Sequence, residues 1–380
     1  MKIDFFSGKR GGFGAMLPLI KNLTEQPAYN VNLIVSDQHL DPEFGQTINE
    51  VRKHAINVVE CKMGGQSGDA PAQRIAKLST MSANLAHYFE SREPDILFVY
   101  GDRTETLFAA SAAMIMNIPI AHMQGGDRSG SVDDIIRHAI TKLASLHYVS
   151  CEDSEERVAK LGEDRNRIVC VGDSHVDAVV QSSITSKDAV LQKLGISDVE
   201  SYCVLLQHPE TTDHGSSAYQ IKETISAISS TKTTAIAIYP CSDPGHTAII
   251  SELEKSVDDG ILRKTFKNLE FEDFLNLCRH ATFIIGNSSS GIIESAYLGI
   301  PAINIGRRQI NRIDGGNVIH VEHDALEIAN QIALLKDHKF RSKLMKESAL
   351  VYGDGYSYRK ILDDLSNRDL SALLPKYISY

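Results

Sequence analysis

Residues 282–312 read TFIIGNSSSGIIESAYLGIPAINIGRRQINR, and the rest of the chain is best understood outward from them. Phe283, Ile284 and Ile285 read as a short buried strand that ends at Gly286. Ser288, Ser289, Ser290 and Gly291 follow, then an apolar helical pattern with Glu294 one turn inside. Open backbone N–H groups at a helix start, flanked by serine hydroxyls, form an anion site. The helix dipole adds about 0.3–1 kcal/mol for an exposed phosphate. Downstream, Arg307, Arg308 and Arg312 supply fixed positive charge. Glu294 has no use beside a lone phosphate, but its carboxylate can accept two hydrogen bonds from a ribose diol. A Ser-capped helix accounts for the serines taken alone. Gly291, Glu294 and the arginines together point to a nucleotide diphosphate site.

At 380 residues the chain suits two domains. Its formal charge is −10, with 49 acidic against 39 basic side chains, which argues against general nucleic-acid binding. The sequence contains no apolar run of membrane length and no signal-peptide core, so the reading is a cytoplasmic protein without a membrane partner. Six scattered cysteines form no C-x-x-C pair, and the histidines show no metal spacing, so neither a disulfide framework nor a metal site is expected.

Short Val- and Ile-rich runs alternate with helix-length segments. Ile3–Phe6, Val31–Val35, Ile56–Glu60, Ile96–Tyr100, Ile118–Ala121, His147–Ser150 and Ile168–Val171 make a first series. Val204–Leu206, Thr234–Tyr239, Thr282–Ile285, Ala302–Ile305 and Val318–Val321 make a second. This alternation predicts an α/β fold of two doubly wound, Rossmann-like domains facing a cleft. The expected division is 1–182, 183–355, and a helical segment 356–380 crossing back to the first domain. Ligands in such sheets bind outside the carboxyl ends of the strands.

The strand-end loops carry the chemistry. Gly8-Lys9-Arg10-Gly11-Gly12-Phe13-Gly14 follows the first strand, and its glycines allow close approach while Arg10 can meet phosphate. It is neither a P-loop nor a well-spaced G-x-G-x-x-G. Gly101-Asp102-Arg103 follows a central strand, where Asp102 could also cap the next helix. His122-Met123-Gln124-Gly125-Gly126-Asp127 ends the next strand, and a helix starts near Asp133-Asp134. Asp133 with Arg137, and Asp134 with His138, are four apart and would make helix-surface pairs. Asp102, Asp127 and Asp133 nevertheless emerge at one sheet edge, where carboxylates raise one another's proton affinity. At least one of them is expected to be catalytic. In the second half His208 stands just past a strand, suited to phosphate or proton transfer. The turn-rich loop Tyr239–Gly245, with Ser242, is expected to line the same cleft.

Taken together, these motifs resemble the UDP-N-acetylglucosamine 2-epimerase family, specifically its hydrolysing branch of sialic-acid and legionaminic-acid type pathways. The resemblance is carried, in order, by Gly8–Gly14, Gly101-Asp102-Arg103, His122–Asp127, Val132-Asp133-Asp134 with Arg137–Lys142, His208-Pro209 with Thr211-Thr212-Asp213, and Gly286–Arg312. It implies a glycosyltransferase-B-like fold. UDP would lie on the second domain, with Ser288, Ser289, Ser290 and Gly291 at the phosphates, Glu294 on the ribose, and His208, Arg10, Ser242, Arg308 and Arg312 around the diphosphate. The implied chemistry is anti elimination of UDP to a glycal, then addition of water to give N-acetylmannosamine. This needs acid–base groups and cationic stabilisation of the leaving diphosphate, but no cofactor. The implied partners are a UDP-sugar, UDP and a second copy of the chain, as a dimer or tetramer.

Two positions depart from the family pattern. Gln124 stands where relatives carry an acidic acid/base residue, and an amide cannot exchange a proton near neutral pH. Gly12 stands where an acidic residue is usual. Three explanations follow: Asp127 or Asp133 takes over proton transfer, the sugar nucleotide differs, or the chain binds without turnover. A non-hydrolysing epimerase, the same chemistry on a diacetamido-sugar nucleotide, and a glycosyltransferase of the same fold are the other readings.

Overall fold

The computed structural model describes residues 1–64, 70–130, 132–210 and 213–379. The chain forms two compact units: Met1–Arg128 with Asp133–Ala178 and Tyr352–Tyr380, and Ser129–Val132 with Val179–Val351. The first holds a parallel sheet of β1 (Lys2–Ser7), β2 (Asn30–Val35), β3 (Asn57–Glu60), β4 (Ile96–Tyr100), β5 (Ile120–Met123), β6 (Leu146–Val149) and β7 (Ile168–Cys170), in the order β3-β2-β1-β4-β5-β6-β7. Its helices are α1 (Arg10–Thr24), α2 (Ile48–Val51), α3 (Pro71–Arg92), α4 (Thr104–Ile115), α5 (Val132–Leu143), α6 (Glu152–Lys160), α7 (Ser174–Gln181), which runs on into the second unit, and, from the end of the chain, Ser357–Asn367.

The second unit repeats the plan. Its parallel sheet joins β8 (Cys203–Leu206), β9 (Ala235–Ile238), β10 (Lys264–Phe266), β11 (Ile284–Gly286), β12 (Ala302–Ile305) and β13 (Val318–Val321), in the order β10-β9-β8-β11-β12-β13. Around it lie α8 (Lys187–Lys193), α9 (Ser217–Ser230), α10 (His246–Asp258), α11 (Phe271–Arg279), α12 (Glu294–Leu298), α13 (Ala325–Lys336) and α14 (His338–Glu347), so the helix Ser357–Asn367 is α15.

Why these segments are strands is visible in their burial. Residues of β4, β5 and β6 are buried throughout, because helices cover both faces of a parallel sheet. Alternate side chains serve the two faces: Phe5 packs with Met16, Leu19, Phe98 and Ile361, whereas Phe6 packs with Leu85, Phe89, Leu97 and Ala109. Phe5 and Phe98 stack with ring centroids 4.8 Å apart.

The structure corrects three expectations. Strand β10 is an edge strand of three half-buried residues, too short and too polar (Lys264, Thr265) to register as a hydrophobic run. The glycine-rich segment after β1 is not a loop, since α1 begins at Arg10 and takes in Gly11, Gly12 and Gly14. The segment after β11 is not one helix but a 3-10 turn, Ser289–Gly291, followed by the five-residue α12. A macrodipole of useful length is therefore absent there, and local N–H groups must do that work.

The C-terminal segment is tied to the first unit by a buried charge cluster. Glu163 meets Lys142 Nζ at 2.6 Å, Lys376 Nζ at 2.8 Å and His147 Nε2 at 3.0 Å. Lys376 also donates to the carbonyls of Lys142 and Ala144 at the end of α5. Burial pushes the Glu163 carboxyl up, but hydrogen bonds from His147, Lys142 and Lys376 outweigh it and hold it at about 2, below its ordinary 4.5. The cluster's stabilisation is thus complete above pH 4.5 and fades as pH falls through about 2. Glu163→Gln is expected to cost about 3 kcal/mol in urea unfolding at pH 7. The gap to the parent protein should be smaller at pH 3.

Candidate functional site

In the first unit β1 and β4 are neighbours, and the helices that follow them pack on opposite faces of the sheet. That is the topological switch point, where the carboxyl ends of an open sheet leave a crevice. Gly8 and Arg10 leave one strand there, and Gly101-Asp102 leaves the other. Gly101 has φ +75°, a conformation that favours glycine, and this turn sets Asp102 at the edge. His122 on β5 supports the turn from below. Its Nε2 donates to the Gly101 carbonyl at 2.8 Å, and its Nδ1 lies 3.1 Å from Thr141 Oγ1. Burial pushes this imidazole down to about 3, so it is a neutral prop.

Asp102 does not cap α4, whose N-cap is Arg103 without a side-chain hydrogen bond. Its carboxylate instead accepts from Arg137 Nη2. Arg137 is not half of a helix-surface pair either: it is fully buried, and its Nη1 also donates to the Gln124 carbonyl at 2.9 Å and to Gln124 Oε1 at 3.1 Å. A buried guanidinium ties two strand ends together through its planar fork. Asp133, the second residue of α5, is buried on the helix that carries Arg137. Asp127 turns away to accept from the hydroxyls of Ser150 and Ser154, the latter at 2.6 Å. It anchors the Gly125-Gly126-Asp127 turn onto β6 and α6.

Gln124 sits at φ +64°, left-handed backbone that non-glycine residues adopt at a cost of about 1–3 kcal/mol and that clusters at functional sites. Its amide is fixed at both ends. Oε1 faces Arg137, and Nε2 donates to Asp173 Oδ2 at 2.6 Å. Asp173 is a residue the sequence reading missed. It is buried after β7, and its Oδ1 accepts from Tyr100 OH at 3.1 Å and from the His175 amide at 2.8 Å. His175 Nδ1 lies 2.7 Å from Tyr100 OH and 3.1 Å from Asp173 Oδ1. Burial pushes the Asp173 carboxyl up, but hydrogen bonds from His175 and Gln124 outweigh it and hold it at about 2. An acidic residue at position 124 would press a second carboxylate against Asp173, and like charges at that distance cannot both ionise. The amide at 124 and the carboxylate at 173 are therefore one arrangement.

In the second unit β8 and β11 are the neighbouring strands at the switch point. Gly286 closes β11 with φ +130°, and a Cβ there would lie 2.0 Å from the Leu206 carbonyl oxygen. Only glycine lets the two strand ends approach this closely. Beyond it Asn287, fully buried, clamps the other strand end. Its Oδ1 accepts from His208 N at 2.7 Å, and its Nδ2 donates to His208 O at 2.9 Å. The Cys241 amide donates to His208 Nδ1 at 3.0 Å. In the neutral ring that acceptor role places the proton on Nε2, making it a donor. Ser242, half-buried, follows Cys241 in the loop after β9.

The serine turn is built for small acceptors. Ser288 caps the 3-10 turn, its Oγ accepting from Ser290 N at 3.4 Å. Ser290 Oγ donates to Glu294 Oε1 at 3.1 Å. Glu294 is 3 % exposed, and its Oε2 is buried without a hydrogen-bond partner. Gly291 is buried against Ala302, where a Cβ would come to 3.5 Å. Arg308 and Arg312 are buried; the first donates to the Asn287 carbonyl at 3.3 Å and the second to Gln309 Oε1 at 2.9 Å. Arg307 is exposed, 3.8 Å from Glu322, and is not part of this cluster. Thr211 and Thr212 lie outside the described residues. Among the described residues no cluster of His, Cys, Asp or Glu could hold a metal ion.

The family pattern for UDP-N-acetylglucosamine 2-epimerase matches residues 21–366. The chain belongs to the UDP-N-acetylglucosamine 2-epimerase family. The UDP-N,N'-diacetylbacillosamine 2-epimerase (hydrolyzing) of Legionella pneumophila is 32% identical over 345 residues, covering 88% of this chain and 89% of that protein. A UDP-N-acetylglucosamine 2-epimerase of Neisseria meningitidis is 32% identical over 335 residues, covering 87% and 86%. The polysialic acid biosynthesis protein P7 of Escherichia coli is 31% identical over 350 residues, covering 91% and 89%. By kinship of sequence the chain falls in the family's hydrolysing branch. Among solved structures, the UDP-GlcNAc 2-epimerase of Methanocaldococcus jannaschii in complex with UDP-GlcNAc and UDP superposes with a TM-score of 0.81 at 19% identity, over 97% of this chain and all of that one. The fold is thus the glycosyltransferase-B-like type of two doubly wound units.

Within this epimerase family member, the sites named from sequence sort by unit. Arg10, Asp102, Gln124 and Asp133 stand at the first sheet's edge, with Asp127 turned into its own turn. His208, Ser242, Ser288, Ser289, Ser290, Gly291, Glu294, Arg308 and Arg312 belong to the second unit. Tyr100, Asp173, His175 and the Asn287 clamp had no local signal, because their roles arise from contacts between residues far apart in sequence.

Proposed function

We propose that this protein is a hydrolysing sugar-nucleotide 2-epimerase that converts UDP-N-acetylglucosamine and water to N-acetylmannosamine and UDP. The observation that carries the reading is the buried, unpartnered Oε2 of Glu294 beside the Ser288–Ser290 turn. An orphaned buried carboxylate oxygen is costly unless a ligand hydroxyl completes it. A ribose diol supplies such donors, and the serine hydroxyls with His208 Nε2–H suit the adjoining diphosphate. In the elimination half a carboxylate at the first sheet edge, Asp102 or Asp133, removes the C2 proton. The C–H pair becomes the C1=C2 bond, and the C1–O pair departs with UDP. His208 and the buried arginines stabilise the charge that develops on the leaving oxygen. Water then adds to the glycal.

The test is incubation with UDP-N-acetylglucosamine in D₂O followed by proton NMR. UDP and N-acetylmannosamine carrying deuterium at C2 are the expected products; UDP-N-acetylmannosamine as sole product would overturn hydrolysis. The same chemistry on a 2,4-diacetamido sugar nucleotide is the second reading, favoured by the Legionella relative at 32% identity. UDP-N,N'-diacetylbacillosamine in the same assay separates the two by kcat/KM. For the ribose contact, Glu294→Gln is expected to weaken UDP binding about tenfold or more, since hydrogen bonds to a charged group contribute about 1.5–3 kcal/mol. Titration calorimetry with UDP and 2′,3′-dideoxy-UDP checks it: the parent protein should discriminate between them and the variant should not.

A further inference from the structure

Epimerisation at C2 requires a proton to leave one face and another to arrive on the opposite face. One carboxylate can serve the first step. Gln124 cannot serve the second, and Asp127 is held by two serine hydroxyls. The first sheet edge contains one further acid–base group that the proposed mechanism has not used. His175 opens α7, with its side chain 10% exposed. Asp173 and Tyr100 hold its Nδ1, which directs Nε2 outward. A Cβ on Gly11 would lie only 4.0 Å from that Nε2, so the side-chain-free start of α1 leaves the approach to it open. A carboxylate behind the ring both orients an imidazole and stabilises its protonated form.

Resting on the function proposed above, we infer that His175, backed by Asp173, is the proton donor to C2 in the hydration half-reaction. The imidazolium gives its Nε2 proton to C2, and the C1=C2 electron pair becomes the new C2–H bond. A water oxygen shares a lone pair with C1, and the surplus proton of that water restores the imidazolium. Gln124 keeps a structural share in this step, because its amide holds Asp173 in place. The charged and titratable groups around the ring are Asp173 and Asp177 from its own segment, Tyr100 from β4, and Lys9 and Arg10 at the start of α1.

The experiment follows UDP release, free glycal and C2-deuterated N-acetylmannosamine by NMR in D₂O, for the parent protein, His175→Gln and Asp173→Asn. His175→Gln is expected to lower N-acetylmannosamine formation about 10²–10⁴-fold, with UDP still released and free glycal accumulating. A purely structural role would depress both halves together. Because an imidazolium is required, kcat/KM of the parent protein should fall on an alkaline limb. Asp173→Asn should move that limb to lower pH, since the ring loses its negative neighbour. That second variant retains the imidazole, so the inference stays open to refutation if His175→Gln fails to fold. Unchanged epimer formation in His175→Gln, parallel loss without glycal, or an unmoved limb in Asp173→Asn would overturn this inference and leave the function standing. No UDP release by the parent protein from either sugar nucleotide would overturn both.

Discussion

Replacing Asp102 by Asn is expected to slow UDP release from UDP-N-acetylglucosamine by about 10²–10⁴-fold while UDP itself binds as before. Asp102 stands at the carboxyl end of a central strand, on a turn set by Gly101 and propped by His122. The buried Arg137 guanidinium holds its carboxylate. Asn keeps an oxygen to accept from Arg137, so the geometry survives, but it can no longer take a proton. It also leaves a buried cation without that counter-charge, so a fall in Tm is expected alongside. The nucleotide contacts proposed here belong to the second unit, which is why UDP affinity should hold. Single-turnover UDP release, paired with calorimetric titration of UDP, checks both halves; ordinary turnover by the Asp102→Asn variant would remove Asp102 from the proton-transfer step.

Gly286→Ala is expected to have the largest effect on stability, about 2–4 kcal/mol, and to abolish measurable UDP binding. At φ +130° an alanine is strained whatever the space around it, and here its Cβ would meet the Leu206 carbonyl at 2.0 Å. The neighbouring strand end must then retreat. Leu206 leads directly to His208, whose backbone is held by Asn287 one residue beyond Gly286. The displacement therefore reaches the phosphate-side histidine and the serine turn together. Urea unfolding and a UDP titration on the same preparation test this. Retained UDP affinity at reduced stability would show that the β8–β11 approach does not set the site.

Much of this molecule was legible from local sequence. A buried parallel strand must be apolar on both faces, so runs such as Ile96–Tyr100 and Ala302–Ile305 announced themselves at or near their true limits. The polar edge strand Lys264–Phe266 did not, because its side chains are only half-buried. Glycine-rich loops marked strand ends, yet the segment after β1 proved to be the first turn of a helix. There the glycines serve close packing: a Cβ on Gly8 would strike Glu105 at 2.4 Å. Asp102 and Glu294 were nameable because their motifs are contiguous. Arg137 was misjudged as a surface partner of Asp133, since helical spacing tells which residues share a face but not which way that face turns.

By itself, then, the sequence determined the class of the fold, the two series of strands and the loops that bear the chemistry, since hydrophobic periodicity and turn residues act over a few positions. Tertiary structure alone decided how protons and charge are distributed among those loops. Gln124, Asp173, His175 and Tyr100 come from three separate strand ends and a helix start, and only the packing of parallel strands side by side brings them into one hydrogen-bonded group. Their chemistry depends on that shared burial, where an amide, a carboxylate and an imidazole each fix the state of the next.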